Sequence, residues 1–126
     1  FLAGLRQPRE LMTWPKRGAS FEGMVIEELV ALAARRLVRP GIFFWRTQAG
    51  AEVDLLIVEG RRMLPIEIKL GAAVNHYAVA GLRQCMKDLG LRRGWVVTTG
   101  PERRRLSPGI EIIPWLDIAS GQIELF

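Results

Sequence analysis

Apolar and polar residues alternate along two neighbouring segments near the middle of the chain. The first segment, 51–59, alternates around β-branched residues, and the second, 63–70, repeats apolar and polar positions with the period of two that is typical of a strand. Gly60, Arg61 and Arg62 interrupt the pattern between the two segments. The sequence therefore predicts a hairpin of two adjacent antiparallel strands.

Three segments have the spacing or the flanking residues of helices. Helical spacing over 21–38, with Ser20 in position to cap the first turn, predicts a long helix. A second helix is predicted for 77–89, because Gly90 follows it at a position where helices commonly end. Residues 114–119 are predicted to turn back as a short helix.

Further strands are predicted on both sides of the hairpin. Residues 42–47 form the strand before it, and 95–99 and 110–113 are strands that follow the second helix. Because a helix joins the hairpin to 95–99, a right-handed parallel crossover is expected there, which makes the sheet mixed. The segment 100–109 contains consecutive arginines and is predicted to be a basic loop.

These elements predict an α/β domain over residues 18–126. Its centre is a mixed sheet of about four to five strands flanked by helices. Residues 1–17 mix apolar residues with prolines and arginines, and we interpret them as the end of a preceding helical segment followed by an irregular connection. The chain begins with Phe1 instead of methionine, and we expect it to be part of a longer protein.

Charged residues interrupt the predicted hairpin at positions that share a face. Side chains two residues apart point to the same side of a strand, so Glu67 and Lys69 project together, and so do Glu52 and Asp54 on the partner strand. Pairing across the hairpin brings Asp54 within reach of Glu67. We expect this charged face to lie away from the core. The residues expected to face the core from the second strand are Leu64, Ile66, Ile68 and Leu70.

Two interpretations of this charged patch remain open from the residues alone. A cross-strand salt bridge on a solvated face is common and contributes about 0 to 1 kcal/mol. A divalent-cation site is the alternative, because hard cations such as Mg²⁺ bind carboxylate oxygens and retain several waters. A lysine beside such a site can orient a water or neutralise charge that develops on a phosphate.

Composition restricts the function classes. A single cysteine, Cys85, excludes an intramolecular disulfide and a multi-cysteine zinc site, and it fits a reducing cytoplasm. No segment has the pattern of a signal peptide or of an apolar membrane span, so we expect a cytoplasmic protein without membrane contact. The formal net charge of +5 fits a polyanionic partner such as nucleic acid, although an arginine-biased genome explains it equally simply.

The order of the elements and of their polar residues resembles the core of the PD-(D/E)XK nuclease superfamily. That order is a helix with Glu22, a strand, a hairpin with Asp54 and the run Glu67-Ile68-Lys69, a helix with Gln84, and a strand. The region from Gly18 to Trp115 also resembles an uncharacterised domain found at the C-terminus of many prokaryotic AAA+ ATPases. The segments that carry this second resemblance are 18–22, 44–47, 50–54 and 66–69.

The resemblance implies a restriction-endonuclease-like three-layer core with a set of catalytic and metal-binding residues. Asp54 and Glu67 would hold Mg²⁺ or Mn²⁺, and Lys69 would help to activate or position the attacking water. Glu22 would be an outer metal ligand that acts through a water molecule. The reaction would be phosphodiester hydrolysis, in which a bound metal makes hydroxide available near neutral pH. The accessory positions are Glu52 and Gln84.

The resemblance also implies partners. Arginines would contact the backbone of DNA or RNA, which gives affinity without sequence specificity. An ATPase module would lie upstream of Phe1 in the same longer chain, because this sequence contains no Gly-x-x-x-x-Gly-Lys-Ser/Thr phosphate loop. Val53 departs from the superfamily signature, which has a proline at that position. The candidate nucleic-acid contacts are Arg46, Arg103, Arg104 and Arg105.

The sequence therefore supports two alternative functions. The first is a metal-dependent nuclease, motivated by the intact set of Asp54, Glu67 and Lys69. The second is a noncatalytic module that keeps the same fold to bind nucleic acid or protein, or to regulate an attached ATPase, because a fold does not establish an activity. Two carboxylates that converge in an open concavity favour catalysis, whereas a filled cleft with Lys69 locked between them favours binding.

Overall fold

The computed structural model describes residues 11–13, 20–71 and 73–126, and for 11–13 only the backbone is considered. The strands are β1 (Leu11–Thr13), β2 (Gly41–Arg46), β3 (Glu52–Glu59), β4 (Arg62–Lys69), β5 (Gly94–Thr98), β6 (Arg104–Ser107) and β7 (Ile110–Pro114). The helices are α1 (Phe21–Arg36), α2 (Ala80–Leu89), which follows a 3₁₀ turn at Tyr77–Val79, and α3 (Trp115–Ala119).

In these ranges all the strands belong to one open mixed sheet, in the order β1-β2-β3-β4-β5-β7-β6. Strands β1 to β4 pair in antiparallel fashion, β4, β5 and β7 are parallel to one another, and β6 runs antiparallel to β7. The predicted hairpin is present as β3 and β4, with Glu59 opposite Arg62. The predicted parallel crossover through α2 is confirmed, and so is the mixed sheet.

Helix α1 begins where its capping residue predicts. The Ser20 side chain accepts a hydrogen bond from the Gly23 N–H at 3.1 Å, which satisfies one of the donors left open at a helix start. The helix ends at Arg36, two residues before the predicted end. With 16 residues it falls short of the ~20 that a membrane helix needs. No helix within the described ranges is both long and apolar enough to cross a bilayer.

The two long helices cover opposite faces of the sheet. Helix α1 packs its buried residues, such as Leu29, against one face, together with Ile66 and Val97. Helix α2 packs Leu82 against the other face, together with Val96. Neighbouring strand residues therefore point into different cores, and a sheet covered on both faces is built from nearly continuous apolar runs.

Burial of both sheet faces corrects the expectation for Glu67, and the end of β4 corrects the one for Leu70. The charged face of β4 was expected to lie away from the core, but only 7% of Glu67 is exposed. The reason is that α2 and the turn before it cover this face. Leu70 was expected to face the core, yet it is 62% exposed because it follows the last residue of the strand. The expectation for Leu64, Ile66 and Ile68 is confirmed, since all are buried.

The sheet has seven strands in the described residues, more than the four to five predicted from the sequence. The additional strands, β1 and β6, are the short edge strands. Strand β6 lies within 100–109, which was wrongly predicted as a loop because its arginines obscure the strand pattern. Strand β1 falls in the segment interpreted as a helical end and a connection, and the rest of 1–17 lies outside the described residues.

A glycine sets the distance between α2 and the hairpin. A Cβ atom at Gly81 would collide with the backbone carbonyl oxygen of Glu52, so only a residue without a side chain allows this approach. At the other end of the helix, Gly90 adopts the left-handed conformation, with φ 68°, and closes α2 as predicted. The helix is therefore held close to the residues at the start of β3.

We predict that Gly81→Ala destabilises the protein by about 1 to 3 kcal/mol, because the new methyl group has no space against the β3 backbone. In an unpacked helix the same change would stabilise by about 0.5 to 1 kcal/mol. Urea unfolding monitored by circular dichroism measures the difference. Ala80→Gly, at the exposed first residue of α2, is the control and should cost less than about 1 kcal/mol through helix propensity alone. A stabilised Gly81→Ala variant would contradict the prediction.

Candidate functional site

A cleft of about 840 Å³ opens where β4 ends and β3 begins. Sheet edges of this kind, at the carboxyl ends of parallel strands, are common ligand sites in α/β proteins. Helices α1 and α2 contribute to its walls from opposite faces of the sheet, and the loop between β2 and β3 closes one side. The lining residues that carry polar side chains are Glu22, Thr47, Glu52, Asp54, Glu67, Lys69 and Gln84.

An irregularity in β3 positions the first acidic residue. Phe43 of β2 pairs with Leu56 and Trp45 pairs with Val53, so a step of two residues on β2 matches a step of three on β3. The extra residue on β3 makes a bulge that includes Asp54. Bulges redirect side chains and are frequent beside functional sites. The sequence pattern of this strand gave no indication of the bulge.

The carboxylate of Asp54 joins the two strands of the hairpin through its side chain. Its Oδ2 accepts a hydrogen bond from the Ile68 N–H at 2.8 Å. The regular ladder between β3 and β4 ends at the pair Leu55 and Ile66, so this bond replaces a backbone contact beyond the last pair. Asp54 also forms a side-chain hydrogen bond with Glu67. The structure thus brings together the two carboxyl groups that the hairpin register predicted to be close.

The buried Glu67 carboxyl group holds its proton unusually tightly. Burial raises its pKa to about 10, and the hydrogen bond and negative charge of Asp54 act in the same direction. At neutral pH Glu67 is therefore protonated and donates to the Asp54 carboxylate. Two carboxyl groups that share one proton are typical of a pair that is not compensated by a cation.

Two further charges act on this pair across the cleft. The Lys69 ammonium partly offsets the rise in the pKa of Glu67, whereas the charge of Glu22 adds to it. Both side chains therefore lie within electrostatic reach of the buried carboxyl group. Among the residues that the structure describes, no carboxylate lies within ion-pair distance of Lys69. Its ammonium lines the cleft without being locked between the two acids.

The accessory residues are present in the cleft but have other partners. Glu52 forms an ion pair with Arg46 at 3.0 Å, and the Arg46 guanidinium also lies over the Phe44 ring, 5.5 Å from its centre. Gln84 donates a hydrogen bond to Asp88 at 2.7 Å. Arg46 was predicted as a nucleic-acid contact, and in this structure it is exposed and paired with Glu52.

The arginines of the β6 region lie outside the cleft lining. Arg103 forms an ion pair with Glu111 at 2.8 Å, and Arg104 donates to the Val74 carbonyl oxygen at 2.8 Å. Arg105 is exposed on the edge strand. The structure therefore does not bring these arginines together with Asp54 and Glu67.

The donor set for a metal is limited. Within the described ranges, no three side chains from His, Cys, Asp and Glu are grouped closely enough to hold a metal ion. Asp54 and Glu67 therefore form a pair, and Glu22 does not complete a three-ligand cluster with them. The chemistry of the pair nevertheless suits a hard cation, because Mg²⁺ usually binds one or two carboxylates and keeps several waters.

Sequence reasoning missed two features that shape the cleft. Gly81 allows α2 to approach β3, and the available signal was an isolated glycine inside a predicted helix. The Thr47 side chain accepts a hydrogen bond from the Ala51 N–H at 3.1 Å and holds the loop that closes the cleft. His76 lies in the turn before α2, where its Nδ1 is 2.7 Å from the Arg83 guanidinium.

Comparison with known proteins gives a family without an assigned function. The family described as "Domain of unknown function (DUF4143)" matches residues 17–118. An uncharacterized protein of Mycobacterium bovis and one of Mycobacterium tuberculosis are each 34% identical to this chain over 113 residues. The match covers 90% of this chain and only 24% of each relative. No solved structure matches the chain significantly.

We predict that the stability of the protein without divalent cations falls as pH rises from about 4.5 towards about 10, the ordinary and the raised pKa of Glu67. The folded state binds the proton more tightly than the unfolded chain, so raising the pH favours unfolding. Glu67→Gln removes this titration and keeps a similar shape, so the variant should become more stable than the wild type at alkaline pH.

Urea unfolding in EDTA at about pH 5, 7 and 9 measures this effect, which has a limiting slope of about 1.4 kcal/mol per pH unit. Glu124→Gln is the matched control, because that carboxylate is exposed in an ion pair with Arg36. Parallel pH curves for Glu67→Gln and the wild type would contradict the assignment of the raised pKa to Glu67.

Proposed function

This chain belongs to the DUF4143 family, and we propose that it is a metal-dependent nuclease-like domain that hydrolyses phosphodiester bonds in DNA or RNA. The observation that carries the proposal is the contact between the carboxyl groups of Asp54 and buried Glu67 in an open cleft, with Lys69 beside them. An acidic pair in a concave site is a typical arrangement for binding a cation and a charged substrate.

The acidic pair would hold Mg²⁺ or Mn²⁺. Glu67 is neutral in the absence of a cation because its charge would face Asp54 in a buried position. A cation would make the charged form favourable, and binding would release the proton. When bound, the metal would supply hydroxide near neutral pH and offset the charge of the phosphate. Glu22, at the cleft wall, would act on the site through a water molecule.

Lys69 is the side chain that would act directly on the reacting groups, beside the bound metal. Its ammonium lines the cleft and lies close enough to influence Glu67. Without a carboxylate partner among the described residues, the ammonium can donate to the attacking water or to a phosphate oxygen. A cation that stabilises charge developing in the transition state contributes to the rate more than to binding.

The proposal also includes the superfamily to which the domain belongs and a further module in the longer protein. The order α1, β2, β3, β4, α2 and β5, with its acidic residues in the hairpin, supports a restriction-endonuclease-like fold of the PD-(D/E)XK superfamily. The chain spans about a quarter of the length of its mycobacterial relatives. That length leaves room for a further module, which we propose to be an AAA+ type ATPase.

A second candidate function is supported by the bonds already made in the cleft. Asp54 is engaged by the Ile68 N–H, Glu52 by Arg46 and Gln84 by Asp88. These bonds stabilise the hairpin and its helix whether or not a metal binds. A catalytically inactive module of this fold, which binds nucleic acid or protein or regulates an attached ATPase, would keep all of them.

We predict that Mn²⁺ binds to the wild-type chain with release of a proton, and that Glu67→Gln and Asp54→Asn each weaken binding by about tenfold or more, because each removes a carboxylate ligand. Isothermal titration calorimetry in two buffers of different ionisation enthalpy measures both quantities. Glu52→Gln is the matched control and should bind normally, because that carboxylate pairs with Arg46. Unchanged Mn²⁺ affinity in all three variants would favour the noncatalytic function.

We predict that Lys69→Ala reduces cleavage of an oligonucleotide by about 100-fold or more and leaves its binding largely intact, since the role of Lys69 is chemical. Single-turnover cleavage and fluorescence anisotropy separate the two effects. Lys87→Ala, an exposed change on α2, controls for a loss of overall positive charge. Equal losses of binding and cleavage in Lys69→Ala would show that the residue only attracts the polyanion.

A further inference from the structure

Exposed apolar side chains are concentrated at one end of the sheet. Among the described residues, five of the six large apolar side chains with high exposure lie at the end where the cleft opens, and Val38 lies at the other end. Single exposed apolar residues need no explanation, but their concentration around a cleft indicates a contact surface. The five residues are Phe21, Met24, Leu70, Tyr77 and Leu116.

Tyr77 is displayed on a turn that is firmly anchored. The residue is 91% exposed, yet the Asn75 side chain accepts hydrogen bonds from both the Tyr77 and the Ala78 N–H groups, each at 3.0 Å. Val74 and Val79, on the two sides of the turn, are buried. The aromatic ring is therefore held out from a rigid backbone, so a contact made by the ring costs little additional ordering of the chain.

Aromatic residues flank the cleft from both sides of the sheet. Tyr77 directly precedes Ala78, which lines the cleft on the α2 side. Phe21 directly precedes Glu22, which lines the cleft on the α1 side, and it is 40% exposed. Both aromatic residues are therefore next to the lining of the cleft in the chain.

Positive charge accompanies the turn that carries Tyr77. The Arg83 guanidinium lies 2.7 Å from the His76 ring nitrogen, and Arg104 bonds the Val74 carbonyl oxygen at 2.8 Å. The exposed ring therefore directly follows a segment, 74–76, that two guanidinium groups hold. This combination complements a partner that is negatively charged along its backbone and offers flat rings.

We propose that Tyr77, with Arg83 beside it, forms a base-stacking subsite at the mouth of the cleft, and that the domain therefore takes single-stranded nucleic acid. The inference deepens the proposed nuclease function and rests on it. In a duplex the bases are paired and stacked on one another, so their faces are closed to a side chain. An unpaired base offers its face to the ring, and stacking of this kind tolerates any base.

The test uses a 12-nucleotide strand with 2-aminopurine near its centre, as DNA and as RNA, alone and annealed to its complement. Fluorescence anisotropy gives the affinity in Ca²⁺, and quenching of 2-aminopurine reports stacking. We expect tighter binding of the single strands than of the duplexes. Tyr77→Ala should weaken single-strand binding by about fivefold or more and remove the quenching.

Matched variants separate stacking from other contacts. Tyr77→Phe and Tyr77→Trp keep an aromatic ring and should restore affinity and quenching. Tyr77→Leu keeps an apolar side chain without a ring and should behave as Tyr77→Ala does. Val38→Ala removes an exposed apolar side chain at the other end of the sheet and should bind as the wild type does. Circular dichroism confirms folding, which is expected because Tyr77 is exposed.

The outcomes distinguish this inference from the function on which it rests. If duplex and single strand bind equally well, or if Tyr77→Ala binds as tightly as the wild type, the stacking subsite is wrong, whether or not the chain cleaves DNA. Tyr77→Ala would also bind nucleic acid as tightly as the wild type if Tyr77 contacted a protein partner instead. If Mn²⁺ does not bind and no strand is cleaved, the nuclease function is wrong, while ring-dependent quenching still supports the stacking subsite.

Discussion

Everything at this site depends on the electrostatic cost of placing Glu67 inside the protein. The residue belongs to a strand that both helices cover, so water stabilises its charge only weakly, and Asp54 adds a second acidic group in contact. The chain accommodates the pair with one shared proton. Such an arrangement is expensive to keep for stability alone, since an apolar residue would pack there without penalty. This cost is one of the reasons for proposing that the pair binds a cation.

The hairpin that carries the pair could be predicted from local patterns, and its surroundings could not. The period of two and the turn at Gly60 are local, and they were sufficient to place Asp54 near Glu67. The burial of Glu67 depends on α2, which arrives from distant residues. The continuous apolar run from Leu55 to Val58 was a signal that both faces are covered. That same run hides the bulge, because four consecutive apolar residues do not show which of them point to each face of the sheet.

The edge strands show a different limit of sequence reasoning. Residues 104–107 have low apolar content, and their pairing with β7 is accompanied by ion pairs of Glu111 with Arg93 and Arg103. A local pattern cannot reveal such support. The roles of the arginines were predicted from the resemblance and from the net charge, and the structure gives several of them intramolecular partners. Charge in a sequence does not show which of its arginines are already paired within the fold.

The exposed arginines of β6 also affect how the protein behaves with its own copies. An edge strand offers unpaired backbone groups that can recruit the edge of another molecule and start a growing assembly. Arg104 and Arg105 are exposed on this edge, so two copies that approached edge to edge would bring like charges together. Residues first considered as contacts for a polyanion thus have a second consequence: their like charges disfavour pairing of this edge with the same edge of another copy.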